Sequence, residues 1–390
     1  MAQDEPVDSV WSAIKQGSIK LDLRHRLERV EQDGFDENAR ASLLRSRLSL
    51  ESGSLHGFSG FVEIDDVTSI GADEYNSTEN GNIDYPTIAD PEGTDLNQAL
   101  LAFAHEGFDA RGGRQRITLN NRRFVGSKPW RNNEQTYDGL RVRWSPNEVF
   151  TLDASYVNRV NRIYGPDDDG SNPADWKGDS VFVLVQYTLV EGHTLSGFGI
   201  GLDVENQSGF TDGQTINNSS DTLGVEYRGG MGELSLQASY ARQSDAGSSE
   251  LDYDADYYVI EIGARALGLS FKAAQEVLGA DNGVGFATPL ANGHGFQGWA
   301  DKFLGTPGDG IEDTWLSIGG AVGPVQMLAR YHDFRAEASS VKYGTEVDLQ
   351  ADWKATERFS TTLKAGLFAT DDPQRYDDTD KVWLILQYKL

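Results

Sequence analysis

From residue 17 to the C-terminus, apolar and polar side chains alternate with a period of two in segments of about ten residues, separated by clusters of Gly, Asp, Asn and Pro. Such a period places successive residues on opposite faces of a strand. In the first segment Ile19, Leu21, Leu23 and Leu27 share one face, and Lys20, Asp22, Arg24, Arg26 and Glu28 the other. Leu44, Leu48 and Leu50 oppose Arg45, Arg47 and Glu51, and Leu140, Val142 and Trp144 oppose Arg141 and Arg143. The pattern persists late in the chain, where Val347, Leu349, Ala351 and Trp353 alternate with Glu346, Asp348, Gln350 and Asp352. Only Val7 to Lys15 reads as an amphipathic helix.

Candidate strands begin near residues 18, 40, 57, 96, 108, 135, 149, 180, 194, 221, 232, 255, 267, 311, 324, 342, 360 and 380. About eighteen strands, an even number, with a charged face and an apolar face, predict a transmembrane antiparallel β-barrel, apolar outward and polar inward. Short turns such as Ser145-Pro146-Asn147 alternate with long acidic loops at 66–94, 160–179 and 278–309. That asymmetry gives short periplasmic turns and long extracellular loops in a bacterial outer membrane. The domain reading is an N-terminal periplasmic segment over 1–16 and a barrel over 17–390. Met1 followed by Ala2-Gln3-Asp4-Glu5 reads as a mature start after a removed export signal, with an initiator Met added.

Composition removes the main rivals. A spanning helix needs roughly 18 or more apolar residues in succession, and runs such as Val181 to Val185 fall far short. Cysteine is absent, which excludes disulfides, thiolate catalysis and cysteine-bound metals. A net charge of -27 argues against nucleic acid as a partner. No G-x-S-x-G elbow is present, since Gly57-Phe58-Ser59-Gly60 fails it, which weakens an outer-membrane hydrolase. The six histidines show no metal spacing, and Gly293-His294-Gly295-Phe296-Gln297-Gly298 fits G-x-G-x-x-G without a βαβ context. No cofactor is expected, although Asp167-Asp168-Asp169-Gly170 and the 71–95 loop are acidic enough to hold calcium.

The cations carry the functional expectation. Arg24/Arg26, Arg45/Arg47, Arg114/Arg116 and Arg141/Arg143 are spaced i, i+2, which puts each pair on one strand face. On neighbouring strands they form a lumenal ladder, with Lys20, Arg122, Arg123, Lys128 and Arg131 near its mouths, whose guanidinium forks suit carboxylates, and Trp130 or Tyr137 is expected to contact sugar faces. Glu28, Glu51, Glu63 and Asp65 are placed to neutralise some of them, and the opposing reading is that these carboxylates satisfy every arginine, which then only props the barrel. The expected activity is passive diffusion of anionic saccharides. A porin for small or neutral solutes and a closed structural or adhesion barrel are the alternatives.

Leu119-Asn120-Asn121-Arg122-Arg123-Phe124-Val125-Gly126, followed by Trp130-Arg131-Asn132-Asn133-Glu134-Gln135-Thr136-Tyr137-Asp138, resembles the alginate export family of outer-membrane barrels. So do Gly113-Arg114-Gln115-Arg116-Ile117, the segment Thr288-Pro289-Leu290 with Gly298-Trp299-Ala300-Asp301-Lys302-Phe303-Leu304, and Tyr343-Gly344-Thr345-Glu346-Val347-Asp348-Leu349. The resemblance implies a monomeric 18-stranded barrel with an arginine-rich constriction that passes an acidic polysaccharide or its oligomers. It does not fix the direction of transport.

Overall fold

The computed structural model describes residues 8–167, 172–205, 219–247 and 249–390. A short helix α1 (Val10–Lys15) precedes the strands. The first nine strands are β1 (Ser18–Gln32), β2 (Ala39–Glu51), β3 (Phe58–Glu74), β4 (Gly93–His105), β5 (Phe108–Gln115), β6 (Thr136–Trp144), β7 (Phe150–Asn161), β8 (Asp175–Val190) and β9 (His193–Leu202). β10 (Ser220–Met231), β11 (Leu234–Asp245), β12 (Asp254–Ala266) and β13 (Leu269–Leu278) follow. A two-residue ribbon, β14 (Ala280–Asp281) with β15 (Val284–Gly285), decorates the next loop. The chain finishes with β16 (Ile311–Val322), β17 (Val325–Arg335), β18 (Lys342–Lys354), β19 (Phe359–Thr370) and β20 (Thr379–Lys389).

Leaving the ribbon aside, every strand pairs antiparallel with its neighbours in the chain, and β13 pairs with β16 across the ribbon. β20 returns to β1 with Leu27 opposite Leu384 and Leu23 opposite Tyr388, closing eighteen strands into a ring. Closure removes the unpaired edges that a sheet in lipid cannot tolerate. No strand begins more than five residues from its expected position, the largest difference being Asp175 against 180. Connections at one end are short, such as 106–107, 191–192, 232–233, 267–268 and 323–324, whereas those at the other include 75–92, 116–135, 162–174 and 279–310. Two loops are shorter than expected because β3 extends to Glu74 and β8 starts at Asp175. Asp168, Asp169 and Gly170, half of the calcium expectation, lie outside the described residues.

The lipid face carries the predicted parity, with Leu140, Leu223, Leu316 and Ile262 all exposed. At its periplasmic end Phe58, Phe103 and Phe108 touch in sequence, and Trp144 meets Phe150. The interior departs from a simple polar lumen. Loops 116–135 and 279–310 fold into the ring and meet there, Gly126 donating to the Leu290 carbonyl at 2.9 Å and Asn292 to the Arg122 carbonyl at 3.1 Å. Their Ile117, Val125, Phe286 and Phe303 form the protein's apolar core with inward Phe198, Tyr257, Phe334 and Phe368. Each such burial stabilises the loops by about 2 kcal/mol. β9 is inverted to suit, presenting Phe198, Ile200 and Leu202 to this core, while Gly197 and Gly199 take lipid-side positions opposite Val225 and Leu223.

Candidate functional site

The inward faces of β1, β2 and β3 supply Arg24, Arg26 and Glu28, then Arg45 and Arg47, then Glu63 and Asp65, all buried. Register sets Arg24 directly opposite Arg45, and Arg47 between Asp22 and Asp65. Like charges facing each other across a ladder are unfavourable, so each guanidinium has to be met from elsewhere. Loop 116–135 meets them. Arg24 donates to the Arg131 carbonyl at 2.5 Å, the Pro129 carbonyl at 2.9 Å and Asn132 Oδ1 at 2.9 Å, and among the described residues it has no carboxylate partner. Arg26 pairs with Glu28 at 2.7 Å and Asp90 at 3.0 Å, and its guanidinium lies 4.5 Å from the Trp130 ring centre. Arg47 forks onto Asp65 at 2.6 and 2.5 Å and reaches Glu134 at 2.8 Å. Arg116 bonds Glu134 and reaches Glu63 at 2.5 Å, while Arg45 lies 3.3 Å from Asp22 and 3.9 Å from Glu134.

Glu134 is therefore the hub. Burial opposes its ionisation, but Arg47 and Arg116 outweigh that and hold its carboxyl down at about 2. Five guanidiniums (Arg24, Arg26, Arg45, Arg47, Arg116) face six carboxylates (Asp22, Glu28, Glu63, Asp65, Asp90, Glu134), so the cluster is compensated rather than a bare cationic wall.

A second network pins loop 279–310. Lys364 Nζ donates to His294 Nε2 at 2.7 Å and sits 3.5 Å from the Trp299 ring centre and 4.2 Å from that of Trp130. That bond selects the neutral imidazole tautomer, whose Nδ1–H donates to Asp301 at 2.8 Å. Burial and then Lys364 push the His294 pKa well below the ordinary value. Asp301 also pairs with Arg131 and Lys381, each at 3.2 Å, and Trp130 stacks on His294 with ring centres 4.0 Å apart. Glu346 accepts from the backbone N–H of Trp299 and of Ala300, the latter at 2.7 Å.

The alginate export family profile matches residues 15–284. The chain belongs to the alginate export family. Comparison with curated proteins returns no match. Among solved structures this alginate-export barrel is similar to Pseudomonas aeruginosa OccK9 (OpdG), at 14% identity and a TM-score of 0.72 over 97% of this chain and 99% of that one. It is also similar to Pseudomonas aeruginosa OpdO, at 15% and 0.71 over 97% and 98%, and to Acinetobacter baumannii OccAB4, at 12% and 0.69 over 96% and 98%. At such identities the likeness speaks for the fold. Together with the family it makes the protein an outer-membrane channel and not an enzyme.

Of the expected lumenal residues, Arg24, Arg26, Arg45, Arg47 and Arg116 gather at the site. Arg141 faces inward and forks onto Asp153 at 2.8 and 2.6 Å, and Arg143 shares its parity, exposed and without an ion pair among the described residues. Arg123 serves the second loop, bonding Glu276 at 2.8 Å and Gln297 at 3.0 Å, and Arg131 and Trp130 lie in the loop-pinning network. Arg114 is a correction. Its register partner is Asp138, on the parity of lipid-facing Leu140, and it bonds Asp138 at 2.8 Å above that band. The inward set of β5 is Asp109, Arg111, Gly113 and Gln115, and Arg116 enters the lumen only because the strand has ended. Gly112 and Gly113 carry no side chains, so the alternation that would have revealed the parity is blank there. Glu134, Asp90, Glu346 and Lys364 were not singled out for this role: Glu134 and Asp90 reach the wall from loops 116–135 and 75–92, while Glu346 and Lys364 stand on β18 and β19 and find their partners in loop 279–310.

Proposed function

We propose that this channel passes carboxylate-bearing saccharides, of the size of short uronate oligomers, by passive diffusion. One observation carries the reading: two lumenal guanidiniums, Arg116 just past the end of β5 and Arg143 on β6, keep exposed surface with which to meet a solute. Arg116 is 28% exposed at its side chain and uses Nε and Nη2 on Glu134 and Glu63, leaving Nη1 for a solute. Arg143 stands further toward the periplasm, opposite Asp109. The carboxylates behind Arg116 fix the plane of its fork, so a uronate meets a donor already oriented. Field strength in a narrow lumen exceeds that in bulk water, which favours uronates over neutral sugars of equal size.

The compensated cluster favours a second reading, a porin for small or neutral solutes. Reversal potentials across a salt gradient in planar bilayers, with block by alginate oligomers, separate the two. The proposal expects anion preference and uronate block in the wild type, both reduced in Arg116→Ala/Arg143→Ala. A cation-selective wild type, or a double variant indistinguishable from it, refutes the proposal and leaves the second reading.

A further inference from the structure

Helix α1 is too short to hold itself together in water, yet it is organised. Ser9 caps it, accepting from the Ser12 N–H at 3.2 Å, while the Ser12 hydroxyl lies 3.0 Å from the Ser9 N–H. Ala13 is buried against the β2–β3 turn, where the Gly53 N–H donates to the Ala13 carbonyl at 2.8 Å. Gly53 has no side chain for a reason: a Cβ there would sit 3.2 Å from the Ala13 carbonyl oxygen and 3.3 Å from Gln16 Cβ. With one face docked, the other presents Val10, Trp11 and Ile14, exposed by 68, 65 and 56%. Large apolar groups on a docked helix require an occupant.

The surroundings say which. Ile19, on the lipid-facing parity of β1, is also exposed and follows Ile14 by five residues, and Leu50 is its register partner, so the lipid-facing band begins directly after α1 in the chain. The periplasmic aromatic girdle is interrupted at the same place. β3 carries Phe58 there and β20 carries Tyr388, whereas β1 and β2, between them, contain neither Phe, Tyr nor Trp. Tryptophan is a residue that membrane interfaces favour, and Lys15 lies with its ammonium 5.6 Å from the Trp11 ring centre, a cation suited to lipid phosphates. We propose that α1 is an interfacial anchor, its Val10, Trp11 and Ile14 face seated in the inner leaflet of the outer membrane and completing the girdle across β1 and β2. This replaces a free periplasmic segment with a lipid contact, and it does not depend on what the channel conducts.

The absence of cysteine makes the test direct. Trp11→Cys and, separately, Ile14→Cys are introduced into the full chain, labelled with an environment-sensitive fluorophore and placed in phospholipid nanodiscs, where both faces are open to solvent. Leu140→Cys serves as the lipid reference and Asn147→Cys as the periplasmic-turn reference, with heat-modifiable gel mobility confirming a folded barrel in each. The expected result is emission and spin-labelled-lipid quenching at 11 and 14 matching position 140, with iodide quenching at least about threefold weaker than at 147. Iodide quenching at both positions equal to that at 147 overturns the proposal. Shielding from both iodide and lipid-borne quenchers also overturns it, since the face would then be covered by protein.

Discussion

Replacing Glu134 by Gln keeps the size and one acceptor of the hub but removes the charge that faces Arg45, Arg47 and Arg116. The native carboxyl is held at about 2 against an ordinary 4.5, and at about 1.4 kcal/mol per pH unit that depression corresponds to roughly 3 kcal/mol. Breaking a buried ion pair by removing one partner has a similar magnitude, about 3 to 5 kcal/mol. The energy resides between loop 116–135 and the wall of β2 and β3, so the local opening of the loop, not the ring, should respond. Hydrogen exchange in nanodiscs at pH 7 should show amides around 128–135 losing protection by about a hundredfold in Glu134→Gln, with strand amides unchanged. The sign with pH follows from a depressed carboxyl: its contribution is intact above the ordinary value near 4.5 and disappears as pH falls through about 2. Wild-type protection should therefore be the same at pH 7 and pH 5. Protection in Glu134→Gln within about threefold of wild type would refute the view of Glu134 as the anchor.

Arg114→Ala and Arg116→Ala form a matched pair: reversal potential should move toward cations only in Arg116→Ala, because Arg114 bonds Asp138 on the outer parity. Gly298 has φ +79, and a Cβ would meet the Glu346 carboxylate, so Gly298→Ala should raise hydrogen exchange in residues 293–305 by at least about tenfold. Lys128 Nζ donates to the Pro289 carbonyl at 3.0 Å, joining the two lumenal loops, and burial lowers its pKa from 10.5 to about 7. The penalty for burying its charge is full below about 7 and relieved as pH rises toward 10.5, so protection at 286–292, corrected for the intrinsic exchange rate, should rise between pH 7 and 9 in wild type and lose that dependence in Lys128→Met.

The ring was legible because lipid on one side and water on the other impose alternation on every strand, and Leu140, Val142 and Trp144 or Val347, Leu349 and Ala351 display it without ambiguity. Parity failed only at Arg114, where Gly112 and Gly113 leave the alternation blank. What could not be read was the course of the two inward loops. Trp130, a candidate for contacting sugar, instead stacks on His294, and Phe198 and Ile200 face an apolar core that no local pattern announces. The G-x-G-x-x-G segment is part of this loop, its Gly293 and Gly298 allowing left-handed backbone at two corners. Such placements depend on partners more than a hundred residues away, as with Arg24 and Asn132.

The β1–β20 seam differs from every other pairing in the time at which it is rewarded. The hairpins joined by two-residue turns close at small entropic expense, and each doubling of an intervening loop adds only about 0.6 kcal/mol, yet the seam joins segments roughly 370 residues apart, a difference of about 4 to 5 kcal/mol for an unstructured chain. Sequential zipping of hairpins shortens that effective distance until the last two strands are already held near each other. Ring closure is therefore the late, nonlocal step, and slower than any hairpin before it. Until it occurs the intermediate is a curved open sheet with β1 and β20 as bare edges, the species most exposed to pairing with another chain. A defect placed at Leu27 or Leu384 would thus act on the lifetime of that intermediate, whereas the same defect between β10 and β11 would act on a hairpin that re-forms locally.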